Sequence, residues 1–537
     1  MKVLRLIVLV IFMFFALGLT VVAQTSQGRI TGQVTDSTGA VIVKARVTIE
    51  NRGTQVKRVL ETNGSGDYVA PGLEPGVYSI SVEAPNFRKV VRERVQIEVA
   101  NDFKIDFQLP PGTTKEVLEV KDEAPLVDST TTTLNGVLAN KAINELPLQG
   151  RDFQNLLALH PGVQRDPGGG FHSVTSNGLR PDDNNFVIDG ATDNDAYYGE
   201  TVVNDAGIQG TPASTLPLDA IQEFNTQEGP QADFGEKPGV VVNIGIKSGT
   251  DTIHGTAYYF HRNAAVDARN YFNPAPQPVS DLLLHQFGSS IGGPILKGKW
   301  FYFANYEGVR SKVGNPYDVY VPVTGHLPAS FSWDSPERLS IADALTYLGC
   351  DTTPTKCSQL SLNLLKYIPY NPGFTADPVD PTLINFNFDN VNRSDNLVFK
   401  SDYHLNDHHV FTGRFIYGNS NQIEEDASPV RKEWLSQTAP ITQVFGVDWT
   451  WTPNSRLVNV ARFSYNRFNE TIAPVDANVN PTQYGLNTGI TDPRLFGFPR
   501  INPSTSYFNY LGGNSSWPLA TSPSHTCLLY TSDAADE

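Results

Sequence analysis

The chain has 537 residues with 40 Lys and Arg against 56 Asp and Glu, a net charge of −16 and a pI near 5.1. No basic run or aromatic-interleaved basic patch offsets that balance, which sets nucleic acid aside as a partner, and 40% apolar with 18% charged residues is the composition of a folded chain. Only 3 cysteines exclude a disulfide scaffold; the close pair, Cys350 and Cys357, flanks an Asp-Thr-Thr-Pro-Thr-Lys loop and either bridges in an oxidising compartment or stands as two loop thiols.

Lys2 and Arg5 precede an apolar run over 6–19 and the small-residue pattern Val21-Val22-Ala23, so 1–23 reads as a signal peptide cut before Gln24. No later run is long and apolar enough for a helical span. A β-barrel stays open, because alternating strands keep mean hydropathy low, here −0.26.

Residues 24–111 alternate strands with turn clusters. Residues 30–34, 45–49, 77–82 and 103–107 show a period of two, and Asp36-Ser37-Thr38-Gly39 and 63–68 supply turns. Gly32-x-Val34, Ala45-x-Val47, Gly66-x-Tyr68 and Leu73-x-Pro75-Gly76-x-Tyr78, followed by Phe87, resemble the carboxypeptidase regulatory-like domain, a prealbumin-like or Ig-like β-sandwich grouped with carbohydrate-binding-like folds. The name implies no peptidase here, since neither His-x-x-Glu nor His-Glu-x-x-His occurs.

Residues 112–125 are charged, bounded by prolines and read as a linker. Within it Glu116, Val117, Leu118, Glu119 and Val120 resemble a TonB box, the exposed segment that pairs edge to edge with a strand of the periplasmic energy-coupling protein; a plain linker strand is the alternative.

Residues 126–250 carry short strands and turns, with a brief helical spacing at Leu156, Leu157 and Leu159 that implies a small α/β unit. Asp189-Gly190 alone is an ordinary hairpin signal. The ordered set of Asn177, Gly178 and Arg180, then Asp189-Gly190, then 216–224 and 240–250, resembles the plug domain of TonB-dependent outer-membrane receptors. Residues 166–170 and 192–195 read as mobile loops facing a ligand, and Asp189, Asp193 and Asp195 as turn acids rather than calcium ligands, because EF-hand spacing is missing.

From 251 to 537 the strands lengthen and fill with aromatics. Leu397, Phe399, Ser401, Tyr403 and Leu405 share one phase and Asn396, Lys400, Asp402 and His404 the other; Phe445, Val447, Trp449 and Trp451 alternate likewise with Gly446, Asp448 and Thr450. One face suits lipid and the other water, as in an outer-membrane barrel. Residues 292–308 resemble the Oar-like branch of these receptors, and 316–389 read as a long extracellular loop. Two decoys lie here: Gly288-Ser289-Ser290-Ile291-Gly292 has the spacing of a nucleophile elbow but the setting of a strand, and His404, His408 and His409 straddle a tight turn. Seven clear strands and at most ten are legible, against about 22 in the resembling family. The barrel therefore reads as partial and C-terminally truncated, with a tail over 527–537 that does not alternate.

The expected fold is mainly β: sandwich, α/β plug and partial transmembrane antiparallel barrel. The resemblance implies a TonB-dependent receptor of the cell outer membrane that imports a glycan, peptide or siderophore using inner-membrane energy, with a TonB-type protein and outer-membrane lipid as partners. It implies no cofactor, metal or catalytic residue, and no enzyme. The alternative is a surface adhesion or structural protein that binds a polymer, from which a working segment at 116–120 distinguishes it.

Overall fold

The structure, a computed structural model, describes residues 27–99, 101–112, 117–120, 134–148, 151–165, 174–195, 199, 201–204, 214–229, 237–269, 279–326, 340–369, 383–424, 429–454, 457–502, 510–513 and 520–535; the expected signal at 1–23 and the loop at 166–170 lie outside them.

The N-terminal strands are β1 (Gly28–Asp36), β2 (Arg46–Asn51), β3 (Lys57–Glu61), β4 (Asp67–Leu73), β5 (Gly76–Glu83), β6 (Lys89–Ile97), β7 (Asp102–Lys104), β8 (Phe107–Leu109) and β9 (Val117–Val120). They form two sheets, β4-β1-β7 with β8 also on β1, and β3-β2-β5-β6-β9. Alternation puts Ile30 and Val34, Val47 and Ile49, and Ile80 and Val82 on the facing sides, where each buried side chain stabilises by about 1.5–3 kcal/mol. The strand expected at 103–107 is two strands. Its break at Ile105-Asp106 lets the Ile105 carbonyl pass over Gly32, where a Cβ would lie 1.9 Å away, and accept the Tyr68 hydroxyl at 2.7 Å, while the Asp106 carboxylate accepts the Gln33 N–H at 2.8 Å.

The linker expectation also needs correction. Val117–Val120 is a strand lying parallel on β6, from Lys89 opposite Val117 to Arg92 opposite Val120. An edge strand leaves a row of N–H and C=O groups unpaired, and an alternating segment of valine and acid that follows β7 and β8 can satisfy them.

Next come β10 (Leu134–Ala139), β11 (Val163–Arg165), β12 (Val174–Ser176), β13 (Asn185–Ile188), β14 (Ala191–Thr192), β15 (Ile221–Glu228) and β16 (Val241–Ile246), with helices Asn140–Glu145 and Gln154–Leu157. The sheet order is β10-β15-β16-β13-β14, with β13 and β16 parallel. The continuous apolar character of Val241, Val242, Ile244 and Ile246 fits a strand buried on both faces, and every residue of β16 is buried.

The third unit is one antiparallel sheet of β17 (His254–Asn263), β18 (Leu282–Leu296), β19 (Trp300–Tyr320), β20 (Leu383–Asn406), β21 (His409–Glu424), β22 (Ser436–Thr438), β23 (Ile441–Asn454), β24 (Leu457–Pro474) and β25 (Ala520–Ala535). Strands pair in sequence order, except that the short β22 bridges β21 and β24 beyond the end of β23. Leu397, Phe399, Phe445 and Phe463 are exposed on the outer face. Trp300, Tyr403, Phe411 and Trp449 stand opposite one another across four strands near the tight turns, as an aromatic girdle at a bilayer interface does.

Three expectations for this unit change. Inward-phase Asn396, Lys400, Asp402, Asp448 and Arg462 do not face open water but are buried against the preceding unit. The long loop is shorter than 316–389, because Pro316 pairs with Asn387 and Tyr320 with Leu383. Strands of 21 and 24 residues outrun the roughly 9–11 that cross a bilayer and continue into an outer layer with its own core of Val319, Val321, Val430, Trp434, Leu486, Phe498 and Leu511. That layer contains helices Ile341–Leu348 and Gln359–Leu365 and a disulfide joining Cys350 to Cys357 across a Cα separation of 5.7 Å. Finally, the non-alternating tail belongs largely to β25, which pairs with β24 from Ile472 opposite Ala520 to Leu457 opposite Ala535. Ladder bonds are made by backbone, so they do not require the alternation that the tail lacks.

Candidate functional site

Asp189 and Gly190 have φ of 46° and 79°, the left-handed pair of a two-residue I′ turn, and they join β13 to β14 with Val187 opposite Thr192. Such a turn exposes its carbonyls at the tip. The Asp189 carbonyl accepts from Arg414 at 3.3 Å and the Gly190 carbonyl accepts from Arg462. A Cβ at position 190 would lie 2.4 Å from the Arg462 guanidinium, so glycine serves both the turn and the close approach. The Thr192 carbonyl accepts from the Asn466 amide at 2.8 Å.

The barrel side is a polar socket drawn from four neighbouring strands. Lys400 on β20 stands opposite Arg414 on β21, and Asp448 on β23 opposite Arg462 on β24. Asp448 bridges Arg414 and Arg462 at 2.9 Å each. The Lys400 ammonium lies 3.1 Å from the Asp189 carboxylate and donates to the Ile246 carbonyl at 3.2 Å. Each of these charges is almost wholly buried, where an unpaired charge costs about 3–5 kcal/mol.

A third unit reaches the same lysine. Glu74, in the turn between β4 and β5, places its carboxylate 3.9 Å from Lys400 and accepts from Gln27 at 2.8 Å. Burial pushes the Glu74 carboxyl above its ordinary range, and the Lys400 charge pulls it back. Sandwich, plug-like unit and barrel wall thus meet at one ammonium group. Beside it is a cavity of about 320 Å³ lined by Gln27, Arg58, Tyr78, Gln222 and His404. Around its rim Arg58 donates to the Thr452 hydroxyl at 2.6 Å, and the Asp251 N–H to the Gly53 carbonyl at 3.0 Å. The Asn225 amide donates to the Val99 carbonyl at 3.0 Å, and the Glu223 carboxylate accepts the Val99 N–H. Burial pushes the Glu223 carboxyl up to about 7, against the pull of the Val99 N–H.

The sequence-derived residues divide between places. Asp189 and Gly190 are at the socket. Asn177 and Gly178, at φ of 51° and 78°, form an exposed turn leading through exposed Arg180 into a 3-10 turn over Pro181–Asp183, away from the socket. Val117–Val120 lies on the sandwich edge, and Cys350 and Cys357 lie in the outer layer. Residues 192–195, expected as a mobile loop, are buried: Asn194 accepts the Phe186 N–H at 3.1 Å and donates to Asn185 at 2.5 Å, while Asp193 accepts the Val203 N–H at 3.2 Å. The unpaired polar groups of so tight a hairpin have to be satisfied internally. No group of ligands able to hold a metal ion occurs among the described residues.

Ser290 lies in mid-strand beside Thr256, 2.8 Å between hydroxyls, with no elbow turn. His408 lies 2.7 Å from the Thr452 carbonyl, and His409 stacks on Trp449 and Trp451. Sequence reasoning missed Glu74, Arg414, Asp448 and Arg462 as functional candidates. The available signal was that ionisable residues recur in the inward phase of adjacent strands, with Asp448 opposite Arg462, but it named no partner in the plug.

Residues 245–527 match the outer membrane beta barrel domain family, and residues 29–110 the carboxypeptidase regulatory-like domain family. The chain is similar to the TonB-dependent transporter Oar of Myxococcus xanthus, at 27% identity over 274 residues covering 48% of this chain and 24% of that protein. Among solved structures it is similar to the outer membrane transporter YddB from Escherichia coli, with 12% identity, a TM-score of 0.46 and coverage of 74% of this chain and 45% of that one. It is also similar to the ferric-catecholate import receptor Fiu from Escherichia coli K12, with 12% identity, a TM-score of 0.35 and coverage of 75% and 57%. The chain therefore spans about a quarter of the curated relative's length and about half of the solved chains'.

Proposed function

The chain belongs to the outer membrane beta barrel domain family, and from that premise we propose that it is a TonB-dependent receptor that binds an extracellular ligand and imports it with energy delivered from the inner membrane. The observation that carries the proposal is the Asp189-Gly190 hairpin seated in the socket of Lys400, Arg414, Asp448 and Arg462. Ion pairs are poor permanent cement, since apolar residues of equal volume often stabilise as well or better. They suit a contact that must form in one register and be exchanged for water when the plug moves. Similarity to the Myxococcus xanthus transporter over 48% of the chain supports the same reading.

In this reading, the outer layer around Trp434 and Phe498 meets the ligand, which is a glycan, peptide or siderophore, and residues 116–120 engage a TonB-type protein in the periplasm. The units are 24–111, 126–250 and the barrel from 251 onward. The test is a strain lacking the protein, grown on defined nutrient sources and complemented with the whole chain or with one deleted for 116–120. Growth should return only with the whole chain, while both bind the nutrient at the cell surface. Uptake unaffected by the deletion overturns the transporter reading, and surface binding with no uptake by either form assigns the protein to adhesion.

A further inference from the structure

We infer that the β6 edge of the sandwich is a second docking place for the coupling segment, competing with the periplasmic partner and releasing the segment when it is peeled away. The inference rests on the coupling role proposed above and adds its regulation.

Val117–Val120 makes a parallel ladder with β6, Lys89 opposite Val117, Val90 opposite Leu118, Val91 opposite Glu119 and Arg92 opposite Val120. With β5 on its other side, β6 has only this edge to offer, and β9 completes the order β3-β2-β5-β6-β9. Addition of an extended segment to a partner's sheet needs the segment's backbone and its alternating side chains. A strand already laddered on β6 has one backbone edge engaged and the sandwich alongside.

Load transmission points the same way. The sandwich is tied to the barrel wall by Arg58 on Thr452 and by the Asp251 N–H on Gly53. Tension applied to a docked β9 is therefore shared with the sandwich and, through those ties, with the barrel. Once β9 has left β6, a pull on it is no longer taken up by that ladder and reaches β10 and the plug along the chain through 121–133. At four residues the strand is short enough to peel, and the population docked on β6 sets how far the partner's apparent affinity is reduced.

The test uses the full chain purified in detergent, with the soluble periplasmic domain of the host's TonB-type protein as the probe. Paired Val91→Cys and Glu119→Cys substitutions place thiols at opposed positions of the ladder. The oxidised, cross-linked chain should bind the probe at least tenfold more weakly than the same chain after reduction, the reduced form of the same variant being the reference. Equal affinity before and after reduction overturns the inference and leaves the coupling role intact, whereas no binding by the unsubstituted chain overturns both. If Glu119→Cys alone impairs binding, Lys89→Cys with Val117→Cys repeats the comparison two positions back along the same ladder and is judged by the same two outcomes.

Discussion

The sandwich and the plug are both small β-rich units, yet they complete their cores differently. The sandwich core, from Ile30 through Ile80 to Leu109, draws only on residues of that unit. The plug core of Ile143, Phe153, Leu156, Phe224 and Ile244 is continuous with Phe303, Val398, Ile416, Val444 and Phe468 of the barrel wall. One unit is closed by its own chain; the other is finished by the sheet around it. The physical lesson is that hydrophobic burial decides independence, and polar contacts then decide which interface can reopen.

The largest test of that contrast is autonomy. Residues 24–111 expressed alone should show a single cooperative thermal transition, whereas 126–250 alone should show none, for want of the wall residues that cover its core. A cooperative transition in the isolated plug would erase the distinction.

Removing the shared carboxylate comes next. Asp448→Ala leaves Arg414 and Arg462 buried without their common counter-ion and should destabilise the plug and barrel assembly by about 3–5 kcal/mol. Calorimetry should show that loss while the sandwich transition stays in place. The converse variant, Ile80→Ala at a fully buried site, should lower the sandwich transition by about 2–4 kcal/mol and leave the socket intact.

A smaller effect comes from pH at the seam between the two units. Glu223 titrates at about 7 in the folded chain against an ordinary 4.5, so between those values the folded state holds the extra proton. Its contribution is full below about pH 4.5 and is lost as pH rises to about 7, a change of at most about 3 kcal/mol. Glu223→Gln should flatten that part of the profile of melting temperature against pH; an unchanged slope would remove Glu223 as its origin. Least of all, Asp102→Asn breaks a half-exposed pair with Arg29, 2.7 Å apart, and should shift sandwich stability by less than about 1 kcal/mol in a denaturant titration.

Much of this architecture was legible before any coordinates. Period-two alternation at Ile30, Val34, Val47, Ile49, Ile80 and Val82 specifies which side of each sandwich strand is buried, because side chains alternate across a strand whatever the neighbours are. The same rule separated Leu397 and Phe399 from Lys400 and Asp402, and the Asp189-Gly190 pair announced a tight hairpin. Where the rule is silent, the expectation slipped. The tail at 527–535 forms backbone bonds without alternation, and 192–195 reads as polar loop although its side chains bond inward.

The sequence by itself determined the mainly β class, the order of the units, the outward and inward phases of the wall and the turn chemistry at Asp189-Gly190, since all of these follow from short-range backbone geometry. Only the tertiary structure decided that the inward phase faces a plug instead of water. It alone brought Glu74, Asp189 and Lys400 together and laid Val117–Val120 along β6. The reason is that ion pairs and strand edges join residues tens to hundreds of positions apart, and a charge or a free edge carries no local mark of the partner that will satisfy it.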